Sequence, residues 1–276
     1  MMIKKQSKVV LWSIIFWFIA LLWVLPFYSS FSVAMKPMSE ITKGNVLGFP
    51  NQFYWRNFHD AWEIGVKNYL LSSFIIVPIS VLGALFLSSL GAYSLSRYDF
   101  KGSNLILNIF LFFNLLPPQM NLIPVYQLRK ALKIYDTYWA VILYHVSFQT
   151  GFCTFFLRNF MKTIPTDIFD AARIEGCTEF RLYWKIALPL SITAMAALGI
   201  LEFTWIWNDF IWGMVLIQRD AIKPVTVGIQ NLQAAYIQSW GMENAGALIA
   251  IIPTVLVFLF LRRYFIEGLT GGYGLS

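Results

Sequence analysis

The sequence predicts an all-helical integral membrane protein with about six transmembrane helices, and three observations carry that expectation. Of its 276 residues 58% are hydrophobic and only 13% charged, against a charged share of roughly 25% in soluble domains. Its mean hydropathy is +0.62. Apolar runs recur at the length of about 20 residues that a helix needs to cross a hydrocarbon layer about 30 Å thick. A chain this poor in charge cannot cover itself with a water-facing surface.

The runs lie near 9–34, 69–96, 104–126, 138–158, 187–217 and 245–262. The first follows Met1-Met2-Ile3-Lys4-Lys5; it is long and has no small-residue cleavage site, so it reads as a retained span and not a secretory signal. Lys36 to Lys67 mixes charge with Trp55, Trp62, Pro50 and Gly48, which suits an external linker whose indoles anchor at headgroup level. In the third run Pro117, Pro118 and Pro124 remove backbone donors and should break or kink the helix. The fourth holds Cys153 and His145. The fifth carries Glu202, Asn208 and Asp209, charges that are costly in lipid unless they face a cavity or a partner helix. They suit either a substrate pathway or hydrogen bonding between helices. Gln218 to Asn244 is a second external stretch, long for a helix connection, and such length often accompanies a task.

Basic residues orient the spans. Lys4, Lys5 and Lys8 precede the first, Arg97 and Lys101 follow the second, Arg158 and Lys162 the fourth, Arg262 and Arg263 the sixth. Excess positive charge stays on the cytoplasmic side, which puts both termini there. Arg129, Lys130 and Lys133 fall on the outer side as an exception. The expected division is an N-terminal span and linker at 1–68, a permease domain at 69–263 with a cytoplasmic coupling loop at 159–188, and a cytoplasmic tail at 264–276.

Several function classes drop out. The formal charge of +7 is spread between apolar runs and not gathered on a basic face with stacking aromatics, so no nucleic-acid partner is expected. Cys153 and Cys177 give neither a disulfide framework nor zinc spacing, and His59 and His145 stand in different segments, so no metal site is expected. No nucleophile elbow, metalloprotease motif or catalytic carboxylate pair points to an enzyme. A secondary transporter would show inverted repeats and discontinuous helices in both halves, and it leaves the cytoplasmic loop unexplained. The G-x-x-x-x-G-K-[ST] phosphate loop does not occur, so an ATP-driven transporter would need a separate ATPase.

The least membrane-like stretch of the second half, Arg158 to Lys185, nevertheless reads as structured. Pro165 and Thr166 offer helix-start chemistry, Asp167 and Asp170 sit where the helix dipole favours acids, and Gly176 can end the helix in a left-handed conformation. Thr178 can cap a second short helix running through Phe180, Leu182, Tyr183 and Ile186 until Pro189 starts the next span. The loop is expected to be a helical hairpin.

Within it stand Asp170-Ala171-Ala172, then Gly176, then Ile186-Ala187-Leu188-Pro189. This resembles the EAA motif of type I ABC importer permeases, with Asp for the usual Glu. Other segments carry the resemblance along most of the chain: Leu90-Gly91-Ala92-Tyr93-Ser94-Leu95-Ser96-Arg97, Phe100-Lys101-Gly102, Asn121-Leu122-Ile123-Pro124, Trp207-Asn208-Asp209-Phe210 and Glu267-Gly268-Leu269-Thr270-Gly271-Gly272. In this order they look like the carbohydrate-uptake group, similar to the smaller permease of the maltose importer.

The resemblance implies a permease that pairs with a second, homologous permease above two ATP-binding subunits and below an extracytoplasmic solute-binding protein, importing a sugar or, within the same group, glycerol phosphate. ATP and magnesium would belong to the ATPases, and this chain would carry no cofactor. It implies that Asp170, Ala171, Ala172, Arg173, Glu175, Gly176, Ile186, Leu188 and Pro189 transmit ATPase closure. It also implies that Val225 to Gly241 is an external loop that helps the binding protein release sugar, with Gln230, Asn231, Gln233, Tyr236 and Trp240 as the contacts. The tail, ending Tyr273-Gly274-Leu275-Ser276 in place of the common Ala-Val-Lys-Gly, would reach between the ATPases. Sugar within the membrane would be held mainly by the partner permease.

Overall fold

A computed structural model describes residues 2–235 and 240–269, with side chains for 11–232 and 240–263. Every regular element among them is a helix. The helices long and apolar enough to cross a membrane are α1 (Met2–Ala34), α2 (Arg56–Arg97), α5 (Tyr138–Met161) and α11 (Trp240–Leu269). Two further spans are broken. The pair α3 (Ser103–Leu115) and α4 (Leu122–Ala131) bends by 97° across the turn Pro118–Asn121. The pair α7 (Glu179–Leu190) and α8 (Ile192–Trp207) bends by 68°. Counted as single spans, the bent pairs bring the total to six. Between them lie α6 (Thr166–Ile174), α9 (Ile211–Leu216) and α10 (Val225–Ala235).

The breaks have local causes. Pro117 and Pro118 supply no backbone donor and end α3, whereas Pro124, in the first turn of α4, is accommodated where helix donors are unpaired anyway. The fifth span is less regular than the run 187–217 suggested. Pro189 lies inside a helical turn, the bend falls at Ser191, and a second interruption at Asn208–Phe210 separates α8 from α9. The stretch from Val225 also differs from expectation, being helical over Val225–Ala235 and not a loop. Its residues Val225, Gly228 and Leu232 are buried and Ile229 is half-buried, an i, i+3, i+4, i+7 face that selects helix.

The chain divides into two compact units. The first comprises residues 1–67 and 228–251. Its polar knot is built on Lys36, fully buried, whose Nζ donates to the carbonyls of Asn45 and Gly48 at 2.6 Å. Glu40 accepts from the Asn45 amide, and the Asn57 amide donates to the carbonyls of Ala34 and Lys36. Buried charge survives because each donor finds an acceptor.

The second unit, residues 68–227 and 252–276, holds the core that positions the site. Ile76, Val141, Ile142, Tyr144, Trp212, Leu216 and Ile217 pack together. Gly151 lets α3 approach α5, since a Cβ there would stand 2.8 Å from Asn114 Nδ2. Arg129, expected as an outward-facing basic residue, is only 7% exposed, so it does not count among the loop charges on which topology rules operate. At the turn into α5, Asp136 accepts from the backbone N–H groups of Gln218 and Arg219 and from the Arg219 guanidinium. Although burial pushes its carboxyl up, those donors outweigh it and hold the group below its ordinary value.

Candidate functional site

The hairpin forms as the residue pattern requires. Helix α6 starts directly after Pro165, and Gly176 at φ +83° ends it. Gly176 N–H donates to Arg173 O and Cys177 N–H to Ala172 O, the paired bonds that close a helix through a left-handed residue. Thr178 occupies the start of α7 in an extended conformation, yet its side chain makes no capping bond. The helix is capped by geometry alone at that end.

What roots the hairpin is the last turn of α2. Arg97 donates to Met161 O at 2.6 Å and to Ile164 O at 3.2 Å, tying the last residue of α5 and the turn after it to α2. Its guanidinium lies 3.8 Å from the ring centre of Phe169, which is 1% exposed on α6. One turn earlier, the Tyr93 hydroxyl donates to Glu179 Oε2 at 2.8 Å, and the Tyr183 and Ser89 hydroxyls are 2.7 Å apart. Arg173 bridges Asp170 at 2.8 Å and Glu179 at 2.9 Å. The Arg173 guanidinium, first, and the Tyr98 and Tyr93 hydroxyls hold the Glu179 carboxyl well below the ordinary carboxylate range against a smaller desolvation effect. The start of α7 at Glu179 is thus tied into the hairpin, while its apolar remainder leads through the bend at Ser191 into α8.

The outer face of α6 is left open. Ile174 is 88% exposed and Ile168 43%, with Ala171, Glu175 and Gly176 exposed beside them and Ala172 half-buried. In α7 and the turn after it, Ile186 and Leu188 are half-buried and Pro189 is exposed. Of the residues singled out in the sequence, Asp170, Arg173, Glu175 and Gly176 are therefore brought together on one small helix, with Asp170 and Arg173 held in an ion-pair chain. Tyr93, Arg97, Phe169 and Glu179 complete the arrangement. Their signal was the i, i+4 spacing of Tyr93 and Arg97 within the quoted Leu90–Arg97 segment.

The polar groups of the fifth span divide by role. Glu202 is fully buried and accepts from the Cys153 thiol at 3.2 Å, a contact between α8 and α5. Asn208 turns back, its amide donating to Thr204 O at the end of α8. Asp209 accepts the N–H groups of Trp212 and Gly213 and so starts α9. Asn208-Asp209 is punctuation between two helices. His145 Nε2 stands 3.5 Å from Asp209 Oδ2.

Of the external candidates, Gln230 is exposed and Asn231 half-buried on α10, while Trp240 is 45% exposed at the start of α11. Gln233 lies in α10 without a described side chain, and Tyr236 lies outside the described residues, as does the tail from Thr270. Among the described residues no group of three or more His, Cys, Asp or Glu could hold a metal ion.

Several helices long and apolar enough to cross a membrane, two of them bent, with a short exposed helical hairpin between spans, make up the described fold. The chain belongs to the family described as the binding-protein-dependent transport system inner membrane component, whose model matches residues 5–267. It is a multi-pass membrane permease subunit and not an enzyme. It is 33% identical over 279 residues to the arabinooligosaccharides transport system permease protein AraQ of Halalkalibacterium halodurans, covering 98% of each chain. It is 28% identical over 258 residues to the sn-glycerol-3-phosphate transport system permease protein UgpE of Yersinia pestis, covering 90% of this chain and 91% of that one. A chain of a bacterial ABC transporter that imports the acidic polysaccharide alginate shares its fold, with a TM-score of 0.83 at 20% identity, covering 94% of this chain and 97% of that one.

Proposed function

We propose that this chain is one of two different, homologous permease subunits of an importer that carries a di- or oligosaccharide across a bacterial or archaeal cytoplasmic membrane by alternating access. Two ATPase subunits bind ATP and magnesium below it, and a solute-binding protein delivers sugar from outside. Both termini lie in the cytoplasm. Residues 69–263 act as the permease domain, 1–68 as first span and linker, and 264–276 as a tail toward the ATPases.

The observation that carries this reading is the face of α6. An isoleucine 88% exposed at the end of a capped, ion-paired helix is a poor design for water and a good one for a cleft on a partner. Ala171, Ala172 and Gly176 permit close backbone approach, and Asp170, Arg173 and Glu175 frame it with charge. Closure of the ATPases around α6 passes to Arg97 and Tyr93, and so to α2. Ile186, Leu188 and Pro189 carry the same displacement into α8. Outside, Gln230, Asn231, Gln233, Tyr236 and Trp240 assist sugar release. Amides match hydroxyls and aromatic faces match the C–H surface of a sugar.

The test is ATP hydrolysis by the complex purified through a tag on this chain, with and without sugar-loaded binding protein. Stimulated hydrolysis with an oligosaccharide is expected. Stimulation by glycerol phosphate alone would change the cargo and keep the mechanism; absence of any copurifying ATPase would overturn the reading.

A further inference from the structure

We infer that this chain carries its own binding cleft for an uncharged sugar ring, formed where the bend between α3 and α4, the middle of α5 and the break between α8 and α9 come together. The inference rests on the importer reading above and departs from the expectation that the partner permease holds most of the sugar within the membrane.

A cavity of about 170 Å³ lies there, with Gln119, Tyr144, His145, Gln149, Trp205 and Asp209 in its wall. That volume equals about six water molecules at roughly 30 Å³ each, the size of one sugar ring. A neighbouring cleft of about 640 Å³ shares Phe148, Gln149 and Trp205, so further units of a chain have room beside the first.

The wall has the chemistry a sugar requires. Trp205 is 48% exposed, and its indole is backed by Phe152 at 5.5 Å, a fixed aromatic plane for the C–H face of a ring. Tyr144 is stacked on Trp212 and Phe148 at 3.6 and 5.6 Å. Gln119 and Gln149 each present both donors and an acceptor, which hydroxyls need. Among the described residues two buried polar atoms there, His145 Nε2 and the Tyr144 hydroxyl, make no well-formed hydrogen bond, with Asp209 Oδ2 3.5 Å from the first and the Trp212 indole stacked against the ring of the second; the residues are 4% and 5% exposed. Buried groups left unpaired are costly, and both lie behind the cavity wall, closed to water, so a bound sugar would pair them as the wall opens.

Charge selects the class of sugar. Among the described residues no lysine or arginine lines this cavity or the larger cleft, and Asp209 would repel a phosphate or uronate. An anion would instead seek Arg129 in a third cleft, beside Asn121 and Val125. The site fits a neutral ring.

The test uses the whole transporter in lipid nanodiscs. Equilibrium binding of labelled arabinotriose or maltotriose is measured without binding protein; uptake and stimulated ATP hydrolysis are measured with it. For Trp205→Leu and Gln149→Leu we expect binding and uptake to fall at least about tenfold, the equivalent of ~1.4 kcal/mol. Trp205→Tyr, which keeps an aromatic face, should restore uptake, as a purely packing role would not require. Unchanged binding and uptake in both leucine variants overturns the inference, as does binding of glycerol phosphate, in preference to the neutral sugar, by the unmodified complex. That last measurement needs no variant to assemble. If no solute stimulates hydrolysis by the unmodified complex, the importer reading itself has failed, which is a different result.

Discussion

Replacing Gly176 separates the folding of the hairpin from its docking. Gly176 sits at φ +83°, and a Cβ built there meets nothing within 4 Å. Side chains at this position therefore cost only backbone strain in the isolated chain, about 1–2 kcal/mol for an ordinary L-residue and less for Asn or Asp, which tolerate the left-handed region. Strain of that size changes the population of the closed turn by a factor of about 5–30, confined to the hairpin. Gly176→Asn and Gly176→Asp have nearly the same shape and the same backbone tolerance, and differ in charge. Against a close-fitting ATPase cleft, any side chain obstructs, and an added carboxylate beside Glu175 obstructs more. Assembly of both variants in the membrane should match the wild type, and sugar-stimulated ATP hydrolysis should fall a few-fold for Asn and more than about tenfold for Asp. Hydrolysis at the wild-type rate in Gly176→Asp refutes docking through this helix. Equal loss of membrane-assembled protein in both variants would place the fault in folding.

Three further outcomes follow from the same geometry. Ile174→Asp removes an exposed side chain, so thermal stability of the chain should move by no more than about 0.5 kcal/mol, while copurification of the ATPase, scored on a gel, should be lost. Arg97→Leu removes charged donors to Met161 and Ile164, each bond worth about 1.5–3 kcal/mol. Amide exchange over 161–183 should accelerate at least about tenfold, and uptake per ATP hydrolysed should fall. Glu179 has a folded value below its ordinary one, so its stabilising effect is present above the unfolded carboxylate value, flat near neutrality, and lost as pH falls below it. Both partners are more than a third exposed, so the effect is under about 1 kcal/mol. Exchange in the hairpin should rise on acidification in the wild type, and Glu179→Gln should flatten that rise; a pH profile unchanged by Glu179→Gln would sink the assignment.

Much of this was legible because it depends on near neighbours in the chain. The spans follow from apolar runs, the break after α3 from Pro117 and Pro118, and the end of α6 from a glycine placed just past a helical stretch. What stayed hidden depends on residues far apart in sequence. The i, i+4 spacing puts Tyr93 and Arg97 on one face of α2, but the partners that face meets, Met161 at the end of α5 and Phe169 72 positions later, lie far off in sequence. The polar triplet of the fifth span looked alike as three costly groups in lipid, yet Glu202 meets a thiol on α5 while Asn208 and Asp209 serve the backbone. The external loop at Val225 to Gly241 is implied only by the resemblance, and the narrow apolar face of residues 225–232 becomes decisive only once it has something to pack against.

The two interruptions of the fifth span then acquire a common logic. At Ser191 the chain turns from the hairpin into the bilayer, and at Asn208–Phe210 it turns again beside the cavity wall formed by Trp205, His145 and Gln149. Helix α8 is the single rigid segment between them, 16 residues or about 24 Å at 1.5 Å per residue. A straight helix held at one end by the hairpin and ending at the other in Trp205 moves both ends together, because a packed helix transmits displacement and does not absorb it. A push on α6 and α7 from the cytoplasmic side would then displace Trp205 relative to Gln149 on α5. On the proposed reading, this packing would be the path by which work done outside the chain opens and closes the cavity.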